Sequence, residues 1–259
     1  MPDFDNNGAS VHYELVGSGP PLLMLAGTAS DGASWKPLVP LLSGRYRLIL
    51  IDNRGCGRTR SAGAITLDDM VDDAAALLDR LGIAEANVAG HSLGGGLGLF
   101  LAARRPDRVR RLVTMTTGPI SPKIFALFDD LVRVYRDNPP ETFFRLLYQW
   151  LFSEPFFPDP ANVAGAAEAS AAYPYRQSPE DFARQVAALG TGTRADLSTI
   201  RCPVLALAAG RDLLGPPEVV RALHAPIPDH RVEVIEDVGH SIHWEAPEAV
   251  ADKVLAFLG

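Results

Sequence analysis

Residues 87–105 read Asn-Val-Ala-Gly-His-Ser-Leu-Gly-Gly-Gly-Leu-Gly-Leu-Phe-Leu-Ala-Ala-Arg-Arg. A short β-prone piece (87–89) runs into a turn that holds Ser92 between Gly90 and Gly94, and a helical apolar pattern follows. Gly-x-Ser-x-Gly at a strand-to-helix turn is the pattern of a nucleophile elbow, in which a tight, strained turn pushes the serine hydroxyl off the end of a sheet. Glycines on either side let the flanking backbone pack closely enough for that turn to form. The helix that starts just after Ser92 aims its unpaired N–H groups and positive dipole end at the same place.

Working outward, the same alternation of strand and helix recurs. Residues 11–16 form an early strand closed by Gly17-Ser18-Gly19-Pro20-Pro21, and residues 22–26 (Leu-Leu-Met-Leu-Ala) suit a strand buried on both faces. A loop of small residues, 27–32, leads to a predicted helix at 34–42, where Trp35, Leu38, Val39, Leu41 and Leu42 make one apolar face. Residues 47–51 form another buried strand, ending in Asp52-Asn53-Arg54-Gly55-Cys56-Gly57. Thr66 is placed to cap a helix running to Leu81, with Asp68 and Asp69 in its first turn and Gly82 as its stop. After the elbow, residues 109–115 supply a further strand. Repeated strand–helix alternation predicts a mostly parallel sheet with helices on both faces.

From residue 118 to 197 the strand-like runs disappear and aromatic residues crowd in. Helices are predicted at 121–137, 140–152, 160–171 and 179–189, so residues 118–197 are expected to be a helical insertion between two parts of one core, 1–117 and 198–259. The candidate substrate contacts within it are Trp150, Phe128, Phe144 and Arg133. Most of its rings are expected to pack the insertion onto the core, and about a third to line a pocket. Arg133, Arg136, Arg145 and Arg176 are candidates for a substrate carboxylate. Strands at 203–208 and 231–235 and helices at 218–224 and 247–258 complete the core.

Composition bounds the function. The chain has 259 residues, 47% hydrophobic and 21% charged, with a net charge of −7. Acidic balance and the lack of a basic run disfavour nucleic acid or an anionic membrane as partner. No apolar stretch approaches a membrane span, and the first residues lack the pattern of a signal peptide, so a cytoplasmic location is expected. Cys56 and Cys202 have no metal-like spacing and read as free thiols. The histidine spacings fit no zinc pattern, and neither a metal nor a cofactor is expected. The expected partner is a small-molecule substrate; oligomeric state is not encoded in any pattern here.

A serine hydroxyl is a weak nucleophile at neutral pH and needs a base and a group to orient that base. Asp212, just past the strand at 203–208, and His240, just past the strand at 231–235, fall on loops at the sheet edge that carries Ser92. Asp237 and Glu236 are rival acids and His243 a rival base, whereas His12, His224 and His230 read as surface or strand-edge residues. Attack on a carbonyl also requires two donors for the oxyanion. These are expected to be the backbone N–H groups of Leu93, directly after the nucleophile, and of Thr28 or its neighbours.

The chain resembles the α/β-hydrolase superfamily over essentially its whole length. Four motifs carry the resemblance: Ala26-Gly27-Thr28; Asp52-Asn53-Arg54-Gly55-Cys56-Gly57; Gly90-His91-Ser92-Leu93-Gly94-Gly95; and the pair Gly210/Asp212/Pro216 with Gly239-His240/Glu245/Pro247. The resemblance implies Ser92 as nucleophile, His240 as base, Asp212 as orienting acid, the amides of Thr28 and Leu93 as oxyanion hole, and 118–197 as a cap over the pocket. Many relatives carry His-Gly where this chain has Ala26-Gly27, a departure similar to the branch of enol-lactonases and small-molecule esterases. The activity so implied is that of a serine hydrolase cleaving an ester or lactone of a small, largely apolar molecule. Carbon–carbon hydrolysis, cofactor-free perhydrolysis and ligand binding without turnover are alternatives on the same residues.

Overall fold

Successive residues of each central strand are buried against opposite layers, and that decides the layering of the molecule. The computed structural model describes residues 3–190 and 195–259. It opens with β1 (Asp3–Asn6), β2 (Ala9–Val16), β3 (Pro21–Leu25), α1 (Val39–Leu42), β4 (Arg47–Ile51) and the short β5 (Arg60–Ser61). Then come α2 (Leu67–Arg80), β6 (Ala86–His91), α3 (Leu93–Arg104) and β7 (Val109–Met115). Four helices without a strand follow: α4 (Pro122–Asp137), α5 (Pro140–Leu151), α6 (Pro160–Ala172) and α7 (Pro179–Leu189). The core resumes with β8 (Val204–Ala209), α8 (Pro217–His224), β9 (His230–Ile235), α9 (Ile242–Glu245) and α10 (Pro247–Leu258).

The strands lie in the order β1-β2-β4-β3-β6-β7-β8-β9, with β5 paired to β2. From β4 to β9 every pairing is parallel, and the pairings of β2 are antiparallel. Leu23, Leu25, Ile49, Ile51 and Val88 face one layer, with α2 and α3. Their neighbours Leu22, Met24, Leu48, Leu50 and Ala89 face the other, with α1 and α10. A strand buried on both faces has no polar side to show, which is why these runs are uninterruptedly apolar.

The predicted helix at 34–42 does not form as one piece. A 3-10 turn at Gly32–Trp35 is followed by the single turn of α1. Pro37 and Pro40 supply no N–H and clash with the preceding turn, so the segment breaks between them. Strand β1 was not expected, yet its signal is in the sequence. Asn7 and Gly8 take φ of 43° and 77° between the partners Asn6 and Ala9, the two-residue hairpin that Asn-Gly favours. Asp73 on α2 anchors this hairpin: it takes two hydrogen bonds from the buried Arg54 guanidinium (2.7 and 2.9 Å), which also reaches the carbonyls of Asn6 and Asn7. The helix predicted from Thr66 starts there through a capping box with Asp69.

Helices α4 to α7 sit between β7 and β8 and share a core of their own, built on Phe128, Tyr135, Phe143, Phe144 and Phe182. Tyr135 and Phe143 stack with centroids 4.0 Å apart and planes 5° from parallel. Residues 191–194, near the end of the predicted insertion, lie outside the described residues.

Where α3 meets the sheet there is no room for a side chain. A Cβ at Gly94 would run into the Leu25 and Ala26 carbonyls, whereas one at Gly96, on the open side of α3, meets nothing within 4 Å. Gly94→Ala is therefore expected to cost about 2 kcal/mol or more by overpacking, a fall of roughly 4–8 °C in melting temperature. Gly96→Ala should gain about 0.5–1 kcal/mol from helix propensity. Thermal unfolding of the two variants checks the contrast; equal effects would reject it.

Candidate active site

Strand β6 ends at His91, and the next residue carries the strain. Ser92 has φ 53° and ψ −116°, a conformation that L-residues with a Cβ rarely adopt and that costs of order 1–3 kcal/mol. Surrounding bonds hold it there. The Ser92 N–H donates to the Met115 carbonyl (2.8 Å), and the Ser92 carbonyl accepts from the Gly96 N–H (3.2 Å) and the Thr117 hydroxyl (3.2 Å).

Asp212 follows β8 and His240 follows β9. His240 Nδ1 lies 2.8 Å from Asp212 Oδ2, and both side chains are almost wholly buried. A carboxylate can only accept, so Nδ1 carries the proton and Nε2 keeps its lone pair. The other Asp212 oxygen accepts from the amides of Leu214 (2.8 Å) and Gly215 (3.0 Å). Burial alone would push this carboxyl up, but the His240 ring and those two amides bring it below the ordinary aspartate value. The rival acids lie elsewhere: Asp237 pairs with Arg211 at the exposed surface, at 2.6 Å.

The histidine is held by its backbone as well. Its carbonyl accepts from His91 Nε2 (3.0 Å) and from the Thr116 hydroxyl (2.9 Å). Glu245 Oε1 accepts from the amides of Gly239 (3.0 Å) and Ser153 (2.9 Å), and its Oε2 accepts from the Ser153 hydroxyl. The Ser241 N–H donates to the Leu151 carbonyl at 2.8 Å. The loop that carries His240 is thereby joined to the end of α5.

The profile of the alpha/beta hydrolase fold matches residues 20–247. The chain belongs to this family. A protein named "Putative carbamate hydrolase RutD" from Azorhizobium caulinodans is 30% identical over all of this chain and 98% of its own length. The enol-lactonase of Burkholderia xenovorans LB400 superposes with a TM-score of 0.87 at 25% identity, covering 99% of both chains. A thermophilic esterase from Thermogutta terrifontis superposes at 0.84 with 27% identity, over 96% of this chain and 93% of its own. Family and relatives together support an enzyme with hydrolase chemistry. Among the described residues no helix is long and apolar enough to cross a membrane, and no three His, Cys, Asp or Glu side chains converge to hold a metal ion.

In this α/β-hydrolase, Ser92 and His240 open onto a cavity of about 670 Å³ under α4 to α6 and the segment that follows α6. Thr28 lines it beside them, and Leu93 borders a small recess next to it that Thr28, Ser92 and His240 share. Neither the Thr28 nor the Leu93 amide has an acceptor among the described residues. The Ala29 amide does, because Gln185 Oε1 takes it at 3.0 Å.

The cap wall is aromatic to a greater extent than the sequence suggested. Phe128 and Phe144 line it with Tyr148, Phe152, Phe156 and Phe157. Trp150 and Arg133 do not. Arg133 sits on the outer face of α4, 68% exposed, paired with Asp129 and Asp130 at i−4 and i−3. Trp150 is half-buried in the last turn of α5 and does not line the cavity, although it follows Phe143 by seven positions and Leu147 by three and so shares much of their helical face. Of the candidate arginines, Arg176 borders the cavity.

Two residues escaped the sequence analysis. Gln185 is wholly buried on α7, a site where an uncharged polar residue among apolar neighbours was the available signal. His91 lies inside the elbow motif, whose pattern assigns it no role. His224 and His12, expected at the surface or a strand edge, are buried: His224 binds Thr114 and the Val220 carbonyl, and His12 lies on β2 with Asp3 of β1 at its Nδ1. His91, His243 and His240 pack ring to ring, with centroids 4.4 Å (91–243) and 5.0 Å (91–240) apart. Burial and then the nearby His240 ring hold His91 down to about 3, and burial with the two neighbouring rings holds His243 well below the ordinary value. Burial likewise pushes the two thiols up, Cys202 to about 11, so neither is a thiolate at neutral pH.

Acid should therefore destabilise the fold. His91, His224 and His243 have depressed values in the folded chain, while the unfolded chain takes up their protons near pH 6.5. The unfolded state then binds more protons, so their stabilising contribution is complete above about pH 6.5 and is lost as pH falls. His224→Gln removes one such group, and the slope of stability between pH 6.5 and 5 should flatten by up to about 1.4 kcal/mol per pH unit. Urea midpoints at pH 7, 6 and 5 measure it; an unchanged slope would reject the assignment.

Proposed function

We propose that this α/β-hydrolase cleaves a carboxylic ester or lactone of a small, largely apolar molecule through an acyl-enzyme on Ser92. The observation that carries the proposal is the elbow itself: a serine held at positive φ, sharing one cavity with a histidine whose Nδ1 is clamped by a buried carboxylate. The aromatic cap wall supports an apolar substrate, and the enol-lactonase and esterase relatives support the carbonyl chemistry.

In the proposed sequence the Ser92 hydroxyl attacks the carbonyl carbon while His240 Nε2 takes its proton. The carbonyl oxygen becomes an oxyanion and accepts hydrogen bonds from the Thr28 and Leu93 amides. Collapse breaks the carbon–oxygen single bond, and His240 returns the proton to the leaving oxygen. For a lactone that oxygen stays tethered to the acyl group. Water, deprotonated by His240, then attacks the acyl-enzyme and releases the acid and free Ser92. Asp212 holds the imidazole tautomer throughout and stabilises the imidazolium.

Ser92→Ala should lower turnover of an aryl ester by about 10⁵-fold or more and abolish labelling by a fluorophosphonate. Asp212→Asn, which leaves the histidine in the wrong tautomer, should cost about 10⁴-fold. A panel of aryl esters, lactones and β-diketones measures both. Activity or labelling that survives Ser92→Ala sinks the assignment, and turnover confined to the β-diketones moves it to carbon–carbon cleavage.

A further inference from the structure

The loop that bears Thr28 is held from two sides. From the core, Asn53 Nδ2 donates to the Ala26 carbonyl (3.0 Å) and Asp52 Oδ1 accepts the Gly32 amide (2.8 Å), so both ends of the loop are fixed by the segment after β4. Its middle is held from the cap. The Ala29 amide donates to Gln185 Oε1 on α7, and the Tyr173 hydroxyl, just past α6, donates to Asp31 Oδ2 at 2.9 Å. Ala29 stands at φ 60°, the left-handed region, without being glycine. Such a conformation persists only where neighbours enforce it.

Gln185 cannot be a mobile surface amide. It is fully buried. Its Nε2 faces the Arg54 carbonyl (3.4 Å) and Cys56 Sγ (3.2 Å), and its Oε1 also receives Gln177 Nε2 (3.3 Å). Both donors onto Oε1 require an oxygen there, which fixes the orientation of the amide. With Ala29 N–H turned to Gln185, the preceding amide, that of Thr28, is left free beside Ser92 and His240.

We infer that Gln185, with Tyr173 in support, is a positioning residue: the cap sets the oxyanion hole by holding Ala29 in its left-handed conformation. This rests on the esterase or lactonase chemistry proposed above. Contact with the oxyanion itself stays with Thr28 and Leu93; Gln185 acts through the loop. The effect belongs to the transition state, so it should appear in kcat and leave KM nearly unmoved.

Gln185→Met keeps the volume and removes the acceptor. Loss of one oxyanion donor costs about 10²–10³-fold, and a misplaced one should cost about 10–100-fold in kcat with KM within about twofold. Affinity for a trifluoromethyl ketone, which forms an oxyanion on the serine, should fall by the same factor as kcat/KM. Affinity for the matching secondary alcohol should not change. Wild-type kcat and ketone affinity in a folded Gln185→Met overturn the inference, as does a loss shared equally by ketone and alcohol. If Gln185→Met fails to fold, Tyr173→Phe carries the test through a several-fold fall in kcat with the same split; no change overturns it. Wild-type protein that turns over no ester and takes no label at Ser92 overturns the chemistry and this inference together; normal labelling with an unaffected Gln185→Met overturns this inference alone.

Discussion

The contact on which the rest depends is between backbone and backbone: the first turn of α3 lies against the carbonyl ends of β3 and β6, at Gly90 and Gly94. Only with no Cβ at those positions can the helix start so close to the sheet, and only then must the connecting residue turn back at positive φ. The strain at Ser92 is thus a by-product of dense packing between helix and sheet, stabilised by the two apolar layers that press on the strands from either side. Parallel strands then do the rest of the positioning. Each ends at the same edge, so Ser92 shares one edge with Asp212 and His240, more than a hundred positions further on, without any local sequence relation.

Around that edge several polar groups are fixed by bonds to the main chain. His240 is oriented at its ring by Asp212 and at its carbonyl by His91 and Thr116. His91 can do this because burial keeps it neutral, with the proton on Nε2, and because Gly27 opposite has no side chain to meet its Nδ1. A charged ring in that position would sit against the imidazolium that catalysis by His240 would create.

The fold was largely legible because it is written in repeated, redundant signals. Buried strands are apolar runs, β4 and β7 begin and end where the pattern says, and capping residues such as Thr66 mark helix starts. The segment 34–42 was misjudged because helical periodicity outweighed two prolines, and β1 was missed although Asn7-Gly8 announced it. Motif and strand-end position were enough to single out Asp212 and His240, which pair in the structure, and Ser92, which lines one cavity with His240. Less legible was the cavity wall. Which residues of α5 reach the cavity is set by tertiary packing and by how far along the helix the cavity extends: Phe144 lines it, while Trp150 at the helix end does not. Gln185 gave almost no local signal: its meaning lies in Ala29, more than 150 residues away in sequence.

Cap and core in this chain are not interchangeable modules. Ser153 and the Leu151 carbonyl close the loop after β9, while Gln185 and Tyr173 close the loop after β3. A cap grafted from a relative with other residues in place of Gln185, Tyr173 and Ser153 would bring its own cavity but deprive the Ala29 amide, Asp31 Oδ2 and Glu245 Oε2 of these partners. Diversification of the wall is therefore free along the aromatic faces of α4 and α5 and constrained at the seams, where a change of pocket is also a change of scaffold.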